Sequence, residues 1–126
     1  ILKPNMVISG TKNDDRAGIE EVADMTMQCL ANCVPAAVPG IAFLSGGQSD
    51  EDATAHLNAM TASYDLPWPV SFSYGRALQH APLMAWGGKP ANVQAAQAAF
   101  NHRARMNSLG PRSRFGDGLK STGRIR

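Results

Sequence analysis

Short apolar runs alternate along the chain with stretches of mixed polarity. Three runs are short and nearly continuous, within ILKPNMVI, PGIAFLSGG and PWPVSFSYGRAL, and each ends at polar residues or glycines. Between and after them, apolar residues recur at helical spacing, most clearly over 19–34, where Pro35 ends the pattern. Strand-like and helix-like segments in this order predict parallel strands joined by crossover helices.

The polar residues that flank these segments indicate where the helices begin. Ser49 can cap the helix that follows the second run, and the acidic residues 50–52 then fall in its first turn. We interpret those three carboxylates as helix-start residues rather than as acid/base groups. Pro90 suits a first helical position, and the Ala-rich segment after it is rich in strong helix formers.

The number of predicted strands sets the fold class. Three buried parallel strands are too few to cover their own faces, and the first has no predecessor in the chain. The pattern therefore predicts an α/β structure that forms the closing part, about the last three strand-helix units, of a (β/α)8 TIM barrel. An amino end that lies inside an apolar run and lacks Met fits this expectation.

Composition narrows the class of protein. The 126 residues are 44% hydrophobic and 17% charged, which is typical of a folded domain. No apolar run approaches the roughly 20 residues of a membrane-spanning helix, and the amino end is not of the secretory type. Cys29 and Cys33 lie four apart in a predicted helix, so we expect small core residues of a reducing compartment, without a disulfide or a metal site.

Charge is distributed unevenly and suggests a boundary. Residues 1–101 carry a net charge of −4, whereas residues 102–126 contain seven Lys or Arg against one acid. After Leu109 the chain is rich in Gly, Ser and Arg, so we predict a domain over 1–109 and a flexible basic tail over 110–126. With Phe115 as its only aromatic residue, this tail favours solvation over binding to nucleic acid or membrane.

Residues that can carry chemistry stand at the ends of the three predicted strands. They are Lys3, then Ser45 with Gly46 and Gly47, then Gly75 with Arg76. In barrels the working residues lie where strands end, and the loops of the last two strands commonly bind phosphate. Separately, a lysine is usually on the surface, a glycine pair usually a turn and an arginine usually a solvated charge. Their succession at strand ends predicts an amine beside a phosphate site.

The remaining histidines and large aromatic residues are interpreted as structural. We expect the histidines to be surface or partial-core residues and the tryptophans to be packing residues; these are His56, His80, His102, Trp68 and Trp86. Tyr74 directly precedes Gly75 and could line the mouth of the site.

Several longer strings resemble one known family. LKPNMV, VPAAVPGIAFLSGGQS, LNAM, SFSYGRALQ and AWGGK resemble, in order and nearly in spacing, the carboxyl-terminal part of class I fructose-bisphosphate aldolase. The resemblance runs from residue 1 to about residue 109. The segment after it departs from the family, because it is basic and ends in Arg126 where the family usually ends in a tyrosine.

The resemblance implies a mechanism for the residues already singled out. Lys3 matches the lysine that forms a Schiff base with fructose 1,6-bisphosphate or dihydroxyacetone phosphate. The pairs Ser45 with Gly46 and Gly75 with Arg76 match the family's grip on the substrate's 1-phosphate. No metal or other cofactor is implied, since the iminium serves as the electron sink. The family's acid/base carboxylates and second lysine come from earlier strands, so these 126 residues alone are expected to be inactive.

The resemblance also implies partners and a compartment. The family acts in glycolysis and gluconeogenesis and is usually a cytoplasmic homotetramer, and some members bind actin. The segment NHRARMNSL is similar to the kinetoplastid branch, which is housed in a peroxisome-like organelle, the glycosome. Two alternatives stay open: a non-catalytic aldolase fragment that acts in binding, and another lysine-dependent barrel lyase with a phosphorylated substrate.

Overall fold

The computed structural model describes residues 1–109, and the predicted basic tail over 110–126 lies outside the described residues. The elements are α1 (Ile19–Cys33), β1 (Ile41–Phe43), α2 (Asp50–Ser63), β2 (Val70–Phe72), α3 (Arg76–Trp86), a 3-10 turn (Pro90–Asn92) and α4 (Val93–Leu109). Helices and strands alternate from residue 19 through α3, as the sequence pattern predicts, and α4 then follows α3 without a strand between them.

The two strands pair in parallel, which confirms the predicted strand direction. Ile41 stands opposite Val70, and Phe43 stands opposite Phe72. Helix α2 forms the connection between the strands, and α1 packs against α2. The carboxyl ends of β1 and β2 therefore point to the same edge of the sheet.

The first apolar run forms less of a strand than the sequence predicts. Leu2 makes a single parallel bridge to Ile41, with its N–H on the Gly40 carbonyl at 3.0 Å and its carbonyl accepting from Ala42 at 2.9 Å. The next link of the ladder would need an N–H at Pro4, and proline has none. The Pro4 carbonyl still accepts from Leu44 at 3.0 Å, so the segment continues beside β1 without forming a regular strand.

The hydrophobic core lies between the strands and the helices that flank them. Phe43, Leu57 and Met60 are fully buried there. Trp68 is also buried, and its indole N–H donates to the Pro35 carbonyl at 2.9 Å, which confirms its predicted packing role. Trp86 is 42% exposed and lies in the groove between α3 and α4, so its packing is only partial.

The two cysteines are not core residues, and that prediction is wrong. Both Cys29 and Cys33 are exposed and unpaired. The buried stripe of α1 passes through Thr26 and Leu30, so Cys29 lies one residue off the stripe and Cys33 falls in the last turn. Spacing alone therefore placed them on the wrong side of the helix.

No helix within residues 1–109 combines the length and the apolar character needed to cross a membrane.

Candidate functional site

The segment between β1 and α2, residues 45–49, forms a tight turn that we call the Ser45 loop. The Gln48 N–H donates to the Ser45 carbonyl at 3.2 Å and closes the turn. Gly47 has a φ of 76°, and a Cβ there would lie 2.9 Å from the Ile8 side chain. The left-handed backbone conformation therefore favours glycine at position 47, whereas the close approach involves only the movable end of the Ile8 side chain.

Arg76 is the first residue of α3 and reaches across to the Ser45 loop. Its guanidinium donates to the carbonyls of Ser45, at 3.2 Å, and Gln48. It also forms an ion pair with Asp50 at 3.3 Å. The arginine side chain remains 47% exposed, and a guanidinium has five N–H donors, so it can still meet an anion from solvent.

The starts of α2 and α3 differ in how favourable they are for binding an anion. Ser49 caps α2 by accepting the Asp52 N–H at 3.0 Å, as predicted, and three acidic residues occupy its first turn. Helix α3 begins at Gly75 without a side-chain cap and without an acidic residue in its first turn. The positive end of the α3 dipole and its free N–H groups are therefore the more favourable place for a phosphate.

Lys3 lies on the segment that runs beside β1. Its neighbour Leu2 bonds to Gly40 and Ala42, and its neighbour Pro4 bonds to Leu44. Lys3 therefore lies beside the stretch that leads from β1 into the Ser45 loop. The lysine is exposed, and within residues 1–109 no hydrogen bond joins it to the other four predicted site residues. The connection runs through Asn5 instead, whose side-chain N–H donates to the Gly46 carbonyl at 3.1 Å.

Behind the loop, a buried histidine and a buried glutamine form a polar contact. The Nδ1 atom of His56 lies 2.8 Å from Oε1 of Gln48, and both residues are at most 6% exposed. An amide oxygen only accepts, so Nδ1 carries the proton. Burial lowers the pKa of His56 from its ordinary 6.5, and the Asp52 carboxylate opposes this with a smaller effect.

This shift predicts a stability that depends on pH. Because the folded chain resists protonation of His56, the unfolded state binds more protons below pH 6.5. We expect the free energy of unfolding to fall as the pH is lowered through that value, measured by urea denaturation at a series of pH values. Arg16 and Asp52 line the same cavity of about 280 Å³ as His56 and are the charges that face it.

The matched variant for this measurement is His56→Asn, which keeps a side-chain N–H but does not titrate. Its stability should change less than that of the unmodified chain over the same pH range. Equal slopes for the two proteins would show that His56 does not carry the effect.

A buried arginine on α4 connects the starts of α2 and α3. Arg103 is 7% exposed and donates through Nε to the Ala77 carbonyl at 3.0 Å. Its Nη2 donates to the Asp50 carbonyl and, at 2.9 Å, to the Thr54 hydroxyl. Arg103 therefore holds the first turns of α2 and α3, which flank the Ser45 loop and Arg76, at a fixed separation.

The structure brings some predicted site residues together and adds others. Ser45 and Arg76 are in contact, and Gly75 begins the helix that carries Arg76, whereas Lys3 is linked only through its segment. Tyr74 does not line the site, because it is buried and its hydroxyl donates to the Ala53 carbonyl at 2.7 Å. The residues whose contacts at the site sequence reasoning missed are Asn5, Gln48, Asp50, His56 and Arg103.

The histidine interpretation agrees with the structure. His56 is buried, while His80 and His102 are exposed. Among residues 1–109, no three His, Cys, Asp or Glu side chains converge in a way that could hold a metal ion.

Parallel strands joined by a crossover helix place the chain in the α/β class of proteins. The model of one family, glycolytic fructose-bisphosphate aldolase class I, matches residues 1–124, and so takes in most of the segment after residue 109. The chain belongs to the class I fructose-bisphosphate aldolase family.

Individual relatives agree with this assignment. A probable class 1 fructose-bisphosphate aldolase of Xanthomonas axonopodis pv. citri is 54% identical over 110 residues, which cover 86% of this chain and 33% of the relative. The chloroplastic fructose-bisphosphate aldolase 2 of Arabidopsis thaliana is 56% identical over 109 residues, or 86% of this chain and 27% of the relative. The chain thus spans about a third of the length of the curated relatives it matches.

A solved structure supports the fold. The fructose-bisphosphate aldolase of Plasmodium falciparum, in a co-crystal with TRAP and a small molecule inhibitor, superposes with a TM-score of 0.83. The sequence identity is 44%, and the match covers 87% of this chain and 32% of that chain.

Proposed function

We propose that this chain supplies the Schiff-base lysine and the phosphate grip of a class I aldolase, a lyase that reversibly cleaves fructose 1,6-bisphosphate to dihydroxyacetone phosphate and glyceraldehyde 3-phosphate. The observation that carries the proposal is the contact of Arg76 with the Ser45 loop, next to the segment that holds Lys3, in a member of this family. Parallel pairing explains why three distant stretches of sequence reach one edge.

Lys3 acts as the nucleophile in this proposal. Its unprotonated amine attacks the ketone carbon of the substrate, and loss of water leaves an iminium. The iminium accepts the electron pair released when the carbon–carbon bond breaks, so the reaction needs no metal to stabilise the carbanion. A lysine at a strand end, where the chain leaves the sheet, can reach a substrate held at the same edge.

The substrate's 1-phosphate is held by four residues that follow the two strands, namely Ser45, Gly46, Gly75 and Arg76. Arg76 offers charge-assisted hydrogen bonds, and the uncapped start of α3 adds N–H groups and a favourable dipole. Gly75 has open space around the position of a Cβ, so nothing on that residue obstructs an approaching anion. Fixing the phosphate fixes the ketone over Lys3, which raises the rate through proximity.

The proposal extends to the assembly. Residues 1–109 form about the last three strand-helix units of a TIM barrel, and other parts of a full-length aldolase supply the acid/base carboxylates. These 126 residues alone are therefore expected to bind and to form the Schiff base without completing turnover. A homotetramer in the cytoplasm, or in a glycosome-like organelle, follows from the family by analogy.

A binding role is the second candidate function. It is favoured by the structural relative, since the Plasmodium falciparum aldolase was crystallised in complex with TRAP. A chain that captured a partner protein, such as actin, and formed no Schiff base would have this function instead.

The test is reductive trapping with dihydroxyacetone phosphate and borohydride, followed by peptide mapping. Hydride reduces the iminium to a stable secondary amine, so the modified lysine keeps the substrate carbons. We expect the adduct on Lys3 and not on Lys12 or Lys89, which serve as internal controls. An unmodified chain, or an adduct spread over all three lysines, would contradict the proposal.

A further inference from the structure

Three side chains form a single directed chain of hydrogen bonds behind the Ser45 loop. His56 donates from Nδ1 to Gln48 at 2.8 Å, and Gln48 donates from Nε2 to Oδ1 of Asn5 at 3.4 Å. Asn5 donates in turn to the Gly46 carbonyl at 3.1 Å. The Gly46 carbonyl can only accept, so Asn5 presents its amide nitrogen to that carbonyl and its oxygen to the Gln48 nitrogen. The oxygen of Gln48 then faces His56, which places the proton on Nδ1.

These hydrogen bonds connect a helix to two irregular segments. His56 lies in the middle of α2, whereas Gly46 belongs to the Ser45 loop and Asn5 to the segment two residues after Lys3. His56 and Gln48 are buried, so a broken link there leaves a polar group without water to replace its partner. Helix α2 can therefore set the position of the Ser45 loop through the buried Gln48, and the exposed Asn5 extends the hydrogen bonds to the segment that holds Lys3.

We propose that His56 is a positioning residue of the site, which fixes the Ser45 loop and the Lys3 segment relative to each other through Gln48 and Asn5. This role rests on the proposed function, because the loop is the element that grips the phosphate. His56 itself does not touch the substrate.

A packing role for His56 makes a different prediction. If only its volume mattered, His56→Leu would preserve the loop as well as any other variant. If the Nδ1 donor matters, only a side chain with an N–H at that position can replace it. In His56→Asn the amide nitrogen stands one bond from Cγ, as Nδ1 does, so this variant is the matched conservative replacement.

The experiment measures backbone amide exchange over residues 45–49 together with equilibrium binding of dihydroxyacetone phosphate. We expect His56→Leu to speed exchange in the loop and to weaken binding by between about twofold and tenfold, the equivalent of one lost net hydrogen bond. His56→Asn should restore both measurements close to those of the unmodified chain. His80→Leu removes an exposed histidine outside the network and should change neither.

Equal exchange in the Leu and Asn variants would overturn the proposal, and so would a nitrogen NMR spectrum that places the His56 proton on Nε2. Gln48→Glu decides the case if His56→Leu does not fold, because a carboxylate still accepts from His56 but cannot donate to Asn5. Unchanged loop exchange in that variant would also overturn the proposal. If the unmodified chain fails to bind dihydroxyacetone phosphate, the proposed function fails, and loop exchange alone then decides whether His56 fixes the loop.

Discussion

Replacing Lys3 with arginine should abolish the borohydride-stable adduct with dihydroxyacetone phosphate. An imine needs a nitrogen with a free electron pair, and a guanidinium stays protonated at any working pH. Arginine keeps the positive charge and a similar length, and Lys3 is exposed, so the variant should fold like the unmodified chain. The expected result is a complete loss of adduct by intact mass, with phosphate binding largely retained.

Lys89→Arg is the matched control for this change. Lys89 is also exposed and is the last residue before the 3-10 turn. This variant should form the adduct in the same yield as the unmodified chain. An adduct that persists in Lys3→Arg and disappears in Lys89→Arg would move the nucleophile to a different surface and refute the proposed site.

The sequence pattern was sufficient for the order of the elements and for the edge of the sheet at which the carboxyl ends of both strands lie. The helix start at Ser49 and the parallel direction of the strands follow from local signals, namely a capping residue and short apolar runs separated by helices. Local signals also placed Arg76 at a helix start. The extent of the first strand was overestimated, although Pro4 itself gave the reason, since its missing N–H interrupts the ladder.

The residues that the sequence analysis missed make contacts with partners that are far away in the sequence. Asp50 looks like an ordinary first-turn acid, yet it pairs with Arg76, which lies 26 residues further along the chain. The contact between Gln48 and Asn5 spans 43 residues, and Arg103 reaches Asp50 over 53. Nothing in a single sequence marks such partners, because they are brought together only when the parallel strands and their helices pack.

Arg103→Met should be the most destabilising of the substitutions proposed for this protein. The buried guanidinium donates three hydrogen bonds, which are accepted by the carbonyls of Asp50 and Ala77 and by the Thr54 hydroxyl. Hydrogen bonds from a charged donor contribute about 1.5–3 kcal/mol each. Methionine removes all three but also removes the cost of burying a charge, which amounts to several kcal/mol. We expect the difference, a loss of roughly 2–4 kcal/mol, in the free energy of unfolding.

Arg103→Met should also weaken the binding of dihydroxyacetone phosphate, because the first turns of α2 and α3 are no longer held together around Arg76. Arg105→Met is the matched control: Arg105 lies on the same helix but is exposed, and its loss should change stability by less than about 0.5 kcal/mol. Urea denaturation measures the change in stability. Calorimetric titration, under conditions where both variants are folded, measures the change in affinity for dihydroxyacetone phosphate.

If Arg103→Met unfolds at the same urea concentration as Arg105→Met, the buried guanidinium does not stabilise the chain. If it lowers stability but leaves phosphate affinity unchanged, Arg103 supports the fold without setting the geometry of the site.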